Sequence, residues 1–242
     1  MIAFHGKQEI KDKYLDRIRK HRAADELIRG TGWDGFRGCA VGCTLNKYSH
    51  AAHAAYETEL GIPQSIARLE DGIFEALPEA VAMEWPERFL ASIEPGADLS
   101  LVMSHWFVWM LTDSQDGVLQ YAKTERSREA IQKVSDLYAR RAAGENVGDK
   151  ELRSAADAAA ADAAAAYADA AAADAAYAAA AAADAAADAA ADAAAAAYAA
   201  AAYAAAAYAA YAAAYARFNT REKQANKLVE LLAAAPQALA VA

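Results

Sequence analysis

Apolar residues recur three and four positions apart through most of residues 1 to 149, which is the spacing of one face of an α-helix. The first such stripe occupies residues 8 to 29 and is followed by Gly30, a residue that commonly ends helices. We therefore predict that the chain opens with a long amphipathic helix. The stripe consists of Ile10, Tyr14, Ile18, His21, Asp25 and Ile28.

Glycine and proline residues mark the ends of the helices that follow. A helix over residues 49 to 60 is predicted to stop at Gly61, and Pro63 and Pro86 are predicted to begin the next two helices. The segment LSLVMSHWFVWML, residues 99 to 111, has the highest density of large apolar groups, so we predict that it forms the most buried helix, capped by Asp98. Alternating strand periodicity is confined to a brief stretch around GVLQYA, residues 117 to 122. The predicted fold class is all-α.

The composition changes abruptly near residue 150, where an alanine-rich tract begins. Alanine has the highest intrinsic helix propensity, and no glycine or proline occurs between Gly148 and Pro236. We predict a small helical domain over residues 1–149, then an alanine-rich helical segment over residues 150–235, as a single long helix or folded-back helices. Residues 236–242 form a C-terminal tail.

Four aromatic residues near the end of the tract are spaced by three, four and three positions, which places them on one helix face. We predict that they form a docking stripe. The stripe consists of Tyr208, Tyr211, Tyr215 and Phe218.

Net charge narrows the range of partners. The chain carries −9, and residues 155 to 216 contain seven aspartates and no lysine or arginine. Such a surface repels anions, so we predict no direct nucleic-acid binding and leave open a protein partner or self-association through the alanine face. Residues 193 to 216 contain no Leu, Ile, Val or Phe, so no membrane span is predicted. Two cysteines and no cationic leader favour a cytoplasmic setting.

Candidate chemistry is concentrated in the first sixty residues. A histidine and a carboxylate lie four positions apart on each of the first two long helices, and two cysteines lie in or beside the glycine-rich stretch GTGWDGFRGCAVGC, residues 30 to 43. Imidazole, thiolate and carboxylate are ligands of zinc and other transition metals. We therefore predict a ligand or metal pocket. Its residues are His21, Asp25, Cys39, Cys43, His53 and Glu57.

Two other interpretations of these six residues are open. They could be a hydrogen-bonded polar patch with packed cysteines, or a reactive thiol with a histidine base. The spacing does not decide whether the protein is an enzyme. A separate hypothesis is a non-catalytic acidic interaction protein, such as an anti-defence factor or nucleic-acid mimic, that acts through the alanine-rich helix.

Several strings in the chain resemble a known family. CAVGCTL, YETELGIP, ARLEDGIFE, WPERFL and GADLS, followed by an alanine-repeat tract and NKLVELL, are similar to alanine-repeat proteins encoded by phages and bacteria. That family has no assigned activity, so the resemblance implies a phage or bacterial cytoplasmic setting and no mechanism. The tract differs from its relatives in lacking Trp, Ser and Arg between the alanines.

Overall fold

The structure is a computed structural model that describes residues 1–49, 51–122, 125–148, 150–152, 154–155 and 215–238. Within these ranges the chain forms nine α-helices and two short 3-10 helices, and it has isolated backbone bridges but no strand, so the all-α class is confirmed. The 3-10 helices are Ala3–Gly6 and Val118–Tyr121. The second of them lies within the segment GVLQYA, where the sequence shows brief strand periodicity. The α-helices are α1 (Gln8–Ala23), α2 (Ala40–Leu45), α3 (Ala52–Leu60), α4 (Gln64–Ala76), α5 (Glu79–Ala82), α6 (Trp85–Ser92), α7 (Val102–Thr112), α8 (Glu125–Ala142) and α9 (Tyr215–Ala233).

Most of the predicted alanine-rich segment lies outside the described residues. Tyr208 and Tyr211 of the docking stripe fall there, as do the side chains of Tyr215 and Phe218. The docking stripe, the alanine face and the choice between one long helix and folded-back helices therefore stay predictions.

The chain divides into two compact units. One contains Met1–Val102 together with Gln224–Ala242, and the other contains Met103–Lys223. In the first unit, α1 packs against α2 and α6, and α4 packs against α2, α3 and α6. The predicted domain boundary between residues 149 and 150 stays a prediction.

The C-terminal end of the chain belongs to the first unit. Leu228 and Leu232 on α9 are 0% and 1% exposed. The backbone N–H of Asp98 donates to the carbonyl oxygen of Pro236 at 2.7 Å. Residues more than a hundred positions apart therefore share one core.

Two predicted helix ends are wrong. The first helix ends at Ala23 because Asp25 is in the left-handed conformation, with φ 56°. The N–H of Glu26 then donates to the carbonyl of His21 at 2.9 Å, which completes a Schellman-type end. The helix over residues 102–112 begins after Asp98, whose Oδ1 accepts from the N–H of Ser100 at 3.0 Å in a turn ahead of it.

The second unit is built around α7. Trp106 and Phe107 are buried, and the ring of Phe107 lies 4.6 Å from that of Tyr138 on α8. The large apolar groups of α7 are therefore buried as predicted, but α7 is not the most buried helix, because His105 on it is exposed whereas all six residues of α2 are buried.

Candidate metal centre

Three side chains from two parts of the first unit meet in one place. Among the described residues, the group of His, Cys, Asp and Glu side chains whose ligand atoms all lie within 4.8 Å of one another is Cys39, Asp71 and Glu75. Cys39 immediately precedes α2, and Asp71 and Glu75 lie four positions apart on α4, hence on one helix face. This group could hold a metal ion.

Cys39 is fixed by the backbone on both sides. Its N–H donates to the carbonyl of Thr31 at 2.7 Å, and its Sγ accepts from the N–H of Gly42 at 3.4 Å. The thiol is 2% exposed, and burial, together with the charge of Asp71, raises its pKa well above the usual value. The sulfur therefore carries its proton until a cation replaces it.

Asp71 uses its two oxygens differently. Oδ2 accepts a hydrogen bond of 2.9 Å from Nε2 of His53 on α3. Oδ1 is buried, and no N–H or O–H donor reaches it within the described part of the chain. The Cys39 thiol also hydrogen-bonds to the Asp71 carboxyl, and an S–H group is only a weak donor. A metal ion that replaced the thiol proton would give this buried carboxylate a stronger partner. His53 would then act as the hydrogen-bond partner that orients a metal-ligating carboxylate.

Glu75 ties the group to the glycine-rich loop. Its Oε2 accepts from the N–H of Gly30 at 2.8 Å. Burial raises its pKa and the charge of Asp71 adds to the effect, whereas the Gly30 N–H and the Arg29 charge lower it. The Cys39 thiol and the Glu75 carboxyl therefore both have raised pKa values, and a divalent cation between them would stabilise their ionised forms.

Tyr48 packs beside His53 and the glycine-rich loop. Its ring occupies the space beside Gly32, where any Cβ would overlap it, and it meets the ring of His53 edge to face at 6.0 Å. Burial raises the pKa of Tyr48 to about 12, and the charges of Asp71, Cys39 and Glu75 each contribute. The negative charges of Asp71 and Glu75 therefore disfavour ionisation of the Tyr48 hydroxyl.

The dimensions suit a small ion. Zinc binds thiolate sulfur at about 2.3 Å and carboxylate oxygen at about 2.1 Å, so tetrahedral ligand atoms stand about 3.5 Å apart. The ligand atoms lie within 4.8 Å of one another, so side-chain rotations that move each atom by about 1 Å bring them to that spacing. One thiolate with two carboxylates is a donor set that suits zinc and similar divalent transition metals.

Two of the six residues predicted from the sequence take part here. Cys39 is a member of the group, and His53 reaches it through Asp71. Cys43 points its thiol at the carbonyl of Gly38 at 3.3 Å, and burial raises its pKa to about 12. Glu57 accepts from the N–H of Gln64 at 3.0 Å and so caps α4.

His21 and Asp25 lie in a different setting. The His21 ring nitrogens contact Glu26 Oε2 at 2.5 Å and Asn46 Oδ1 at 2.7 Å, and the ring stands edge to face with Trp33 at 5.4 Å. Asp25 is exposed at the end of α1. The structure thus pairs His21 with Glu26 and leaves both His21 and Asp25 outside the metal-ligating group.

Asp71 and Glu75 were missed in the sequence, although a signal was present. Within ARLEDGIFE they lie four positions apart, next to apolar positions of the same helix. Carboxylates on the inner face of an amphipathic helix are uncommon unless they are paired or bind a cation.

A second set of polar groups lies deeper between α2, α3 and α4. Glu70 is 0% exposed, and within the described residues neither of its carboxylate oxygens has a hydrogen-bond partner. Burial and the neighbouring Asp71 raise its pKa well above the usual value. The hydroxyls of Tyr56 and Thr44 are buried near it, and burial and the Glu70 charge also raise the pKa of Tyr56. Burial therefore favours the protonated form of Glu70 over the ionised form.

Comparison with protein-family models, curated proteins and solved structures gives no match to this chain. None of the helices that the structure describes combines the length and the hydropathy needed to span a bilayer.

Proposed function

We propose that this protein binds zinc or a similar divalent transition metal through Cys39, Asp71 and Glu75, with His53 positioning Asp71. The observation that carries the proposal is that buried Asp71 stands in the same small group as a thiol and a second carboxylate, and that its Oδ1 has no N–H or O–H donor among the described residues. Metal binding supplies that oxygen with its partner and releases the thiol proton.

The alternative of a reactive thiol is less well supported by the same side chains. A nucleophilic cysteine needs a lowered pKa and access to solvent, whereas burial raises the pKa of both Cys39 and Cys43. The only imidazole bonded to the group, among the described residues, donates to Asp71 rather than to a sulfur. A bound cation would reverse the effect of burial on the Cys39 thiol, so the metal accounts for more of the geometry.

Cobalt substitution tests the proposal directly. The chelator-treated protein is titrated with Co²⁺, and a thiolate-to-cobalt absorption band is expected with a stoichiometry of one ion per chain, matched by zinc in elemental analysis of the untreated protein. Because the sulfur of Cys39 is the soft ligand, Cys39→Ser abolishes the band. Asp71→Asn weakens binding about 10- to 100-fold or more, since it removes an ionised ligand.

The second buried cysteine gives a matched control. Cys43→Ser removes a thiol of similar burial that lies within α2, the helix that Cys39 precedes, but does not belong to the group of Cys39, Asp71 and Glu75, so it keeps the band. A band that survives in Cys39→Ser, or that disappears equally in both variants, would contradict the proposal.

A further inference from the structure

Residues 30–39 of the glycine-rich loop, the 30–39 segment, are attached to the metal-ligating group at both ends. At the first end, the N–H of Gly30 donates to Oε2 of Glu75 at 2.8 Å. At the other end stands Cys39, which is itself a member of the group. The segment therefore begins at a hydrogen bond to one candidate ligand and ends at another.

Other bonds hold the two ends side by side without an ion. Nη1 of Arg29 donates to the carbonyl oxygen of Leu77, the residue after α4, at 2.9 Å. The N–H of Cys39 donates to the carbonyl oxygen of Thr31 at 2.7 Å. An ion bound here would therefore find both ends of the segment within reach and would not have to draw them together.

Between its ends the segment makes a tight turn that projects an aromatic side chain. Oδ1 of Asp34 accepts hydrogen bonds from the N–H of Phe36 at 2.9 Å and from the N–H of Arg37 at 2.7 Å. Phe36, at the tip, is 76% exposed. The turn is thus braced internally, whereas its position on the protein is set where the segment meets α4 and Cys39.

This backbone is costly to keep in one conformation. Gly30 and Gly35 have φ of 76° and 108°, which glycine adopts readily and other residues rarely do, and glycine loses the most backbone freedom on folding. An ion held by Cys39 and Glu75 would act as a cross-link between the two ends and reduce that freedom. Because a carboxylate has two oxygens, Glu75 could bind the ion and still accept from Gly30.

We infer that metal binding closes the 30–39 segment: the ion joins Cys39 to Glu75, Glu75 holds Gly30, and the exposed tip at Phe36 becomes fixed together with the ion. This inference rests on the proposed metal centre and adds a form of regulation to the same site. Occupancy of a buried centre is converted into order of a loop on the surface.

Trypsin cleavage of the full-length protein tests this, because Arg37 lies in the middle of the segment with a side chain that is 55% exposed. Proteolysis follows the population of the opened form, and an opening that requires release of the ion becomes about 100-fold rarer at free Co²⁺ 100 times its dissociation constant. We expect cleavage after Arg37 to slow by up to this factor. Cleavage after Arg140, in the second unit and 44% exposed, should keep its rate.

Two variants separate the ion from its effect on the segment. In Cys39→Ser, Co²⁺ should leave cleavage after Arg37 unchanged. Glu75→Gln keeps an oxygen for the Gly30 N–H but removes the ionised ligand, so at Co²⁺ concentrations that restore the thiolate-to-cobalt band it should lose most of the protection seen in the wild type.

The outcomes distinguish this inference from the proposal on which it rests. An intact thiolate-to-cobalt band with unchanged cleavage after Arg37 would overturn the closure alone, as would equal slowing after Arg37 and Arg140. Full protection in Glu75→Gln with its band restored would overturn the role of Glu75. Absence of the band in the wild type would mean that the metal centre itself fails, and the closure with it.

Discussion

Glu70 shows what a single buried acid does to this fold. Its carboxyl is fully enclosed between helices and has no hydrogen-bond partner among the described residues. Burial and the charge of Asp71 raise its pKa well above the value in the unfolded chain. The native state therefore binds a proton that the unfolded chain releases at lower pH, and the free energy of unfolding must fall as pH rises from about 4.5 towards the raised pKa.

Removing this proton linkage should stabilise the protein at neutral pH. For one proton the slope is at most about 1.4 kcal/mol per pH unit, and Glu70→Gln keeps the shape of the side chain without the ionisation. We expect the metal-free variant to be more stable than the wild type at pH 8 and nearly equal to it at pH 4. Denaturant unfolding of both proteins across that range measures the difference.

Glu9→Gln is the control for this measurement, since Glu9 is exposed on α1. It should leave the pH dependence of unfolding unchanged. If the free energy of unfolding of Glu70→Gln changed with pH in parallel with that of the wild type, the pKa of Glu70 would have to be the same in the folded and unfolded chains.

The candidate site could be predicted only in part from individual residues. Cys39 and His53 were recognised because thiols and imidazoles are rare and their chemistry is specific. Asp71 and Glu75 were missed because acidic residues are common, and only their placement beside Cys39, with Asp71 buried and Glu75 half-buried, distinguishes them. His21 and Asp25 were grouped on the assumption of a continuous helix, and the left-handed backbone at Asp25 ends that helix first.

At the scale of elements, the glycine-rich loop is what places Cys39. The carbonyl oxygen of Gly32 lies so close to α2 that a Cβ at Gly38 or at Gly42 would overlap it. Cys39 lies between these two glycines, and its N–H bonds to the same loop. Glycine is required here for close approach of backbone to backbone, since neither position has a positive φ.

Gly42→Ala tests this contact against helix propensity. Replacing glycine by alanine within a helix would by itself raise the free energy of unfolding by about 1 kcal/mol. Forcing a methyl group into a filled space would lower it by about 1–3 kcal/mol. We expect a net loss of stability and weaker Co²⁺ binding, because the loop and Cys39 must shift. Thermal unfolding followed by circular dichroism, with the cobalt titration, measures both.

Gly148→Ala is the matched control, because a Cβ at Gly148 meets no atom within 4 Å and its φ is not positive. It should change neither stability nor metal binding appreciably. A Gly42→Ala variant as stable as the control would show that the loop does not need to approach α2 so closely.

At the scale of the whole molecule, the sequence predicted the helical class but not the assembly of the units. Periodicity and the Gly61 helix end are local signals, and the structure has an α-helix ending at Leu60 with Gly61 in the left-handed conformation. The packing of complementary side-chain surfaces decides which distant segments share a core, and this is not a local signal. Nothing in the sequence of α9 indicates that its C-terminal part belongs to the same unit as residues 1–102. The acidic alanine-rich tract, most of which lies outside the described residues, retains the interaction role predicted for it as a hypothesis.

Because the C-terminal part of α9 belongs to the first unit, we predict that a substitution there weakens the metal centre, although the ligands lie more than a hundred residues earlier in the chain. Leu228 is fully buried, so Leu228→Ala should lower the free energy of unfolding by about 2–5 kcal/mol through lost burial and a cavity. Leu231 is only partly buried three residues further along the same helix, and Leu231→Ala should cost clearly less. Because the metal-ligating residues belong to the same compact unit, chelator-induced loss of Co²⁺ should become faster in Leu228→Ala near its unfolding temperature and stay unchanged in Leu231→Ala. Equal stability of the two variants would mean that α9 does not contribute to the core that supports Cys39, Asp71 and Glu75.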